Sequence, residues 1–165
     1  MGQYWYPVNL DKKEYVHPHK LASGLKLWEQ LAAQPGTGAA LVVLCAAMPE
    51  PRGGGDFDLD SNWHGPERTM QEHPTSPGPM PEAYPAIARR TIGRWAGDRI
   101  ALVGDYAADG DLPNPADEAS RIYERCAEDE WRDVSEDVCA VIAHELNGKY
   151  EGEGWRDFVF ADAQA

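Results

Sequence analysis

The sequence predicts an α+β fold: a mostly antiparallel sheet with two main helices packed on it and one long Pro/Gly-rich loop. Three observations carry that expectation. The N-terminal residues alternate apolar and polar at the two-residue period of a strand, and two later stretches repeat apolar residues at helical spacing. From Met48 to Pro85 the chain is crowded with prolines and glycines that forbid regular structure. A chain of 165 residues suits a single domain, 1–165, carrying that Pro/Gly-rich stretch as an insertion at about 48–85.

Each element follows in order. Tyr4, Tyr6, Val8 and Leu10 make one apolar face of a strand, Asp11-Lys12-Lys13 turns the chain, and Glu14–His17 returns, giving an N-terminal hairpin. Pro7 has no donor for a ladder, which puts this strand at a sheet edge or gives it a bulge. Leu21, Leu25, Trp28 and Leu31 share a helical face, so Leu21–Ala33 reads as an amphipathic helix, stopped by Gln34-Pro35-Gly36. Ala39–Ala46 is apolar on both faces, the pattern of a central buried strand. Phe57 and Trp63 suggest that the long loop is partly packed down, and a short helix over Tyr84–Arg90 ends it.

Thr91–Trp95, the turn Ala96-Gly97-Asp98 and Arg99–Tyr106 read as a second hairpin. Ile100 and Leu102 take one side of its second strand and Ala101 and Val103 the other, which marks that strand as central. Ile122–Cys126 and Glu130–Val134 read as a polar hairpin, with Arg121–Cys126 equally readable as helix. Asp133-x-x-Glu136 resembles a capping box for a helix from Val134 to Leu146, with Val138, Val141, Ile142 and Leu146 inward. Trp155–Phe160 reads as a last edge strand.

Composition narrows the function classes. The net charge is −13, and between Asp105 and Asp137 twelve acids face three arginines, a balance of −9. Direct nucleic-acid binding is disfavoured, because affinity for a phosphate backbone comes from Lys and Arg displacing counterions. A basic protein partner fits the charge. The first residues lack the basic and apolar regions of a signal peptide, and the longest apolar run, Ala39–Met48, is half of the roughly 20 residues that a membrane span needs. Cys45, Cys126 and Cys139 are odd in number and unpatterned, as reduced thiols are, so a soluble cytoplasmic protein is expected.

Several patterns are weighed as sites. Asp56, Asp58, Asp60 and Glu67 fall at the oxygen-ligand spacing of a calcium loop, with Asn62 at the seventh position. Ser61 stands where the sharp turn needs glycine, and Pro66 precedes the closing Glu67, so an exposed acidic loop explains the run better. His17 and His19 share a face if the chain is extended, a spacing that metals accept, with a third ligand to come from His64, His73, His144 or a carboxylate. Arg52-Gly53-Gly54-Gly55-Asp56 lacks the Lys-Ser/Thr of a phosphate loop and reads as a hinge. Cys45 reads as packing before it reads as a nucleophile. Asp98 serves its turn. Asp105 follows Gly104 at the C-terminal end of a strand, where open sheets bind ligands, with Tyr106 beside it and Arg99 opening the same strand.

Two stretches together resemble a family of small uncharacterised prokaryotic and phage proteins. They are Met1-Gly2-Gln3-Tyr4 with Val8–Tyr15, Pro18-His19-Lys20 and Gly24–Leu27, and Trp95–Ile100 with Val103–Ala107. The resemblance covers about a third of the chain by this reading and supports the fold boundaries. It implies no activity. The leading expectation is therefore a binding protein without catalysis, using its acidic face and the long loop. A small enzyme with Asp105, Tyr106, Arg99 and His19 in a pocket under the 48–85 loop is one alternative, and a metal-binding module is another. No cofactor follows from the sequence.

Overall fold

The computed structural model describes residues 2–21, 24–33, 36–47 and 83–146. The fold is α+β. Strand β1, Trp5–Asn9, turns through Asp11-Lys12-Lys13 into β2, Glu14–Tyr15, with Val8 opposite Tyr15 and Asn9 opposite Glu14. Asn9 builds the turn, because its Oδ1 accepts the backbone N–H groups of Asp11 and Lys12 at 3.0 and 2.9 Å. Strand β3, Ile100–Gly104, pairs antiparallel with β1, and β4, Arg132–Asp133, pairs parallel with β2, so the sheet runs β3-β1-β2-β4 and is mixed.

This order corrects two expectations. β1, with its proline, lies inside the sheet, whereas β3 lies at an edge. Pro7 is tolerated because of register. The bonds Leu10 N–H to Arg99 O and Asp105 N–H to Tyr4 O assign the even residues of β1 to the β3 ladder. The missing donor of Pro7 therefore faces β2, and there β2 has already ended: the last contact is Val16 N–H to Pro7 O at 3.0 Å.

Helices differ most from the sequence reading. Ala39–Ala46 belongs to helix α2, Thr37–Cys45, not to a strand. An apolar run of this length has no periodicity to separate a strand from a buried helix, and its alanines and leucines favour helix. The expected Leu21–Ala33 helix is broken in two: a 3₁₀ turn at Pro18–Leu21 and α1, Leu27–Ala32. Two of its four expected inner residues point outward, Trp28 76% and Leu31 64% exposed, while Leu21 is buried and Leu25 packs against the cluster of Tyr6 and Val103. The buried side chain of α1 is Gln30, whose Nε2 donates to the carbonyls of Trp5 and Leu25, both at 2.9 Å, while its Oε1 accepts from Thr37 Oγ1 at 3.1 Å. Six residues cannot turn an apolar stripe inward against that amide network. Trp28→Ser and Leu31→Ser are each expected to change the unfolding free energy by less than about 0.5 kcal/mol in a urea titration; a loss of several kcal/mol from either would restore the inward face.

Helix α3 spans Tyr84–Thr91, as expected within a residue. Thr91–Trp95 is not a strand. It is a run of tight turns, with Arg94 N–H bonded to Thr91 O and Ala96 N–H to Gly93 O, and Gly93 and Gly97 supply the positive φ values of 74° and 82° that such a path needs. Helix α4 spans Ala119–Ala127, resolving the ambiguity at Arg121–Cys126 in favour of helix. Helix α5 spans Ser135–Leu146, with Asp133 Oδ1 accepting from Ser135 N–H at 2.8 Å at its start. Val138, Val141 and Ile142 are buried as the periodicity requires. The Pro/Gly-rich stretch from Met48 to residue 82 and the expected Trp155–Phe160 strand lie outside the described residues.

Two apolar clusters form the core. Leu44 of α2, Tyr84 and Ala88 of α3, and Val138, Val141 and Ile142 of α5 gather with Val16 and Trp95. Ile122 and Cys126 of α4 gather with Tyr6, Val8, Tyr15, Val103 and Trp131. The helical layer is thus built from α2, α3 and α5, with α1 peripheral, while α4 packs against β1 and β3.

Candidate functional site

The two ends of β3 keep the candidate catalytic groups apart. Arg99 and Asp105 are separated by six strand positions, which at about 3.3 Å each is roughly 20 Å. At the first end, Arg99 donates from its backbone N–H and its Nε to Asp11, both at 2.8 Å, and from Nη1 to Asp117 at 2.8 Å. These bonds fasten the β1–β2 turn and the segment before α4 to β3, and they raise the Arg99 pKa, the Asp117 bond first and the Asp11 bond next. At the other end, Asp105 Oδ1 accepts from Tyr4 N–H at 2.9 Å and its own N–H donates to Tyr4 O at 3.0 Å, closing the β1–β3 ladder. Tyr106 is 61% exposed. Asp105 and Tyr106 are neighbours, but Arg99 does not join them.

His17 and His19 flank the start of the 3₁₀ turn. Their rings are 5.5 Å apart and His19 N–H donates to His17 Nδ1 at 3.3 Å. His17 N–H donates to the buried Ser135 Oγ at 2.7 Å, and the His17 ring packs edge-on against Tyr6 at 5.3 Å. Burial pushes the His17 imidazole below its ordinary pKa; the charge of Asp133 opposes this, and His19 and Lys20 reinforce it. His144 lies nine helical residues beyond Ser135, about 13 Å along α5, stacked on Tyr84. Among the described residues no three His, Cys, Asp or Glu side chains are grouped to hold a metal ion. Asp56, Asp58, Asp60, Glu67, His64 and His73 lie outside the described residues.

A polar network that the sequence did not announce ties β2 to the turns after α3. Glu14, with 4% of its side chain exposed, accepts from Arg94 Nε at 2.9 Å, from Arg94 Nη2, and from the Trp95 indole N–H at 2.9 Å. Burial pushes the Glu14 pKa up, but the bonds from Arg94 and Trp95 and the charges of Arg94 and Arg132 outweigh it, and the carboxyl ends below its ordinary value. Beside it, Asp98 accepts from Asn9 Nδ2 at 2.7 Å and from Lys12 Nζ. Both networks are closed on themselves and hold the hairpin in place. No signal in the local sequence identifies them, since the partners stand 80 or more residues apart.

The acidic stretch from Asp105 to Asp137 lies largely at the surface. α4 buries Ala119, Ile122 and Cys126, so its polar residues face outward, and desolvation pushes the Cys126 thiol up to about 12, leaving it inert. Of the twelve acids, Asp117, Glu118, Glu130, Asp133 and Asp137 have a Lys or Arg within 4.0 Å. The other seven, Asp105, Asp109, Asp111, Glu124, Glu128, Asp129 and Glu136, have none among the described residues. All of these but Asp105 are exposed. Some accept neutral donors: Asp109 takes the N–H and Oγ of Ser120, which lower its pKa, and Asp129 takes the Tyr15 hydroxyl at 2.5 Å. The bonds from Ser120 favour the charged form of Asp109 without neutralising it.

No helix among the described residues is long and apolar enough to cross a membrane. No family model matches the chain, and no curated protein and no solved structure matches it.

Proposed function

We propose that the protein is a binding protein without catalysis that holds a basic protein partner on its acidic stretch. One observation carries the reading: seven carboxylates between Asp105 and Glu136 have no Lys or Arg within 4.0 Å among the described residues. Like charges held this close repel one another, and a partner bearing Lys or Arg relieves that repulsion while being steered toward the site. Phosphate backbones are repelled by the same field. Arg99 supports the reading from the other side, because its guanidinium is already committed to Asp11 and Asp117 and is not free to serve a pocket with Asp105. A cytoplasmic setting is part of the same reading, on the odd and unpatterned set of three cysteines, Cys45, Cys126 and Cys139. Kinship with small prokaryotic and phage proteins, on the strength of the Met1–Tyr15 and Trp95–Ala107 stretches, is part of the same proposal and adds no activity to it.

The test is a titration of the protein with a Lys-rich peptide followed by fluorescence anisotropy. Binding is expected at about 50 mM salt and is expected to weaken at least roughly tenfold by about 500 mM, as the Debye length contracts. The triple variant Glu124→Gln/Glu128→Gln/Glu136→Gln, confined to exposed positions, is expected to weaken binding at low salt. No binding at low salt, or binding indifferent to salt, would sink the reading.

A further inference from the structure

The outer edge of β3 is a five-residue, apolar strand edge, Ile100-Ala-Leu-Val-Gly104, with no β partner among the described residues. The β1 ladder uses the odd positions, as the bonds of Arg99 and Asp105 show, so the backbone groups of Ile100 and Leu102 point away from the sheet. Among the described residues, neither residue's N–H nor its C=O is bonded on that side. Gly104 uses only its C=O there, for Ala107 N–H. Exposed edges are normally blunted by a proline, a lysine, a bulge or an inward charge, and Ile100–Gly104 contains none of these.

The two sides of this edge differ in chemistry. On one, Leu102 is an exposed large apolar residue. On the other, the chain leaves Gly104 and returns to Arg99, where Asp117 pairs, and its apolar contacts through Ala107 and Leu112 go to the cluster of Val103. That returning segment carries Asp109 and Asp111, neither with a Lys or Arg within 4.0 Å among the described residues. A strand added here sends alternate side chains to the two sides. Apolar residues would meet Leu102, and Lys or Arg would meet Asp109 and Asp111. A second copy of this chain would bring a second set of the same acids against the first.

We infer that β3 takes an extended peptide segment of alternating basic and apolar residues by strand addition. This rests on the acidic-partner reading above and specifies how the partner docks. Main-chain bonds to Ile100 and Leu102 supply affinity, and the alternation supplies selectivity.

The probe is a ten-residue blocked peptide of alternating Lys and Val, with a Glu–Val peptide of equal length as control. Binding is followed by anisotropy at low salt and by amide exchange in NMR spectra. The Lys–Val peptide is expected to bind and the Glu–Val peptide not. Leu102→Pro deletes an outward N–H while leaving the β1 ladder its odd positions, so it is expected to lower affinity at least tenfold; Leu102→Ala keeps the N–H and is expected to lower it less than threefold. The Leu102 amide is expected to exchange freely in the unbound protein and to become protected on binding. Should Leu102→Pro remain folded by circular dichroism and bind as the wild type does, the acidic-surface reading stands and strand addition falls. Should Leu102→Pro unfold, the exchange experiment on the wild type decides alone. An amide already protected before peptide is added overturns the inference, and its dependence on protein concentration separates pairing with a second copy from pairing within the chain. No binding of the Lys–Val peptide at all removes both readings.

Discussion

Glu14→Ala is expected to be among the most destabilising single substitutions in this protein, costing about 3–5 kcal/mol in a urea unfolding titration at pH 7. The carboxylate is almost fully buried and satisfies two groups at once, the Arg94 guanidinium and the Trp95 indole N–H. Removing it leaves a largely buried cation and a buried donor without a partner, and that desolvation cost exceeds the modest net worth of an intact buried pair. Glu14→Gln keeps the shape and one acceptor, so a smaller loss is expected. A loss below about 1 kcal/mol for the alanine variant would mean that Arg94 reaches solvent when its partner is removed.

The same group sets an acid limit. The folded-state pKa of Glu14 lies below its unfolded value, so its contribution is fully present above the unfolded carboxylate range. It is lost as pH falls through the depressed folded pKa. Wild-type stability should therefore drop more steeply than that of Glu14→Gln as pH is lowered below about 4, the ordinary range of a glutamate. Parallel curves for the two proteins would remove Glu14 from the account.

Trp95→Ala is the second large effect, expected at about 3–5 kcal/mol by the same titration. Trp95 is the largest fully buried side chain, it sits in the cluster shared by α2, α3 and α5, and its backbone N–H donates to Leu44 O at 2.8 Å at the end of α2. Trp95→Phe keeps most of the buried aromatic volume and loses the donor to Glu14 together with part of the ring. A cost of roughly 1–2 kcal/mol is expected for it. The double variant Glu14→Gln/Trp95→Phe should cost less than the sum of the two, because the bond between them is broken once. Strict additivity would show that the indole N–H contributes nothing through Glu14.

Much of the fold was legible where the pattern is local. The N-terminal hairpin follows from alternation and from a turn that Asn9 organises within three residues. The α5 helix follows from Asp133 at its start and the spacing of Val138, Val141 and Ile142. The stretch Ala39–Ala46 reads as a strand because a run apolar on every side carries no period, and packing against α1 and α5 decides that it is a helix. Trp28 and Leu31 continue the helical period of Leu25, yet within α1 the inner surface is taken by Gln30 and its bonds to Trp5 and Leu25, and of the three only Leu25 packs against the core. For the candidate site, the acidic stretch was visible as composition, while the separation of Arg99 from Asp105 follows simply from their lying at opposite ends of one strand.

By itself, then, the sequence determined what short-range physics controls: the class of fold, the first hairpin, the helices at Tyr84 and Ser135, and a field of uncompensated acids. The tertiary structure alone decided that β1 with its proline lies between β3 and β2, that β3 is an edge strand among the described residues, and that Glu14 meets Arg94 and Trp95. The division has a physical cause. Periodicity and caps depend on residues a few positions apart, whereas the sheet order and a buried ion pair depend on which distant segments first exclude water from each other, and no spacing along the chain records that.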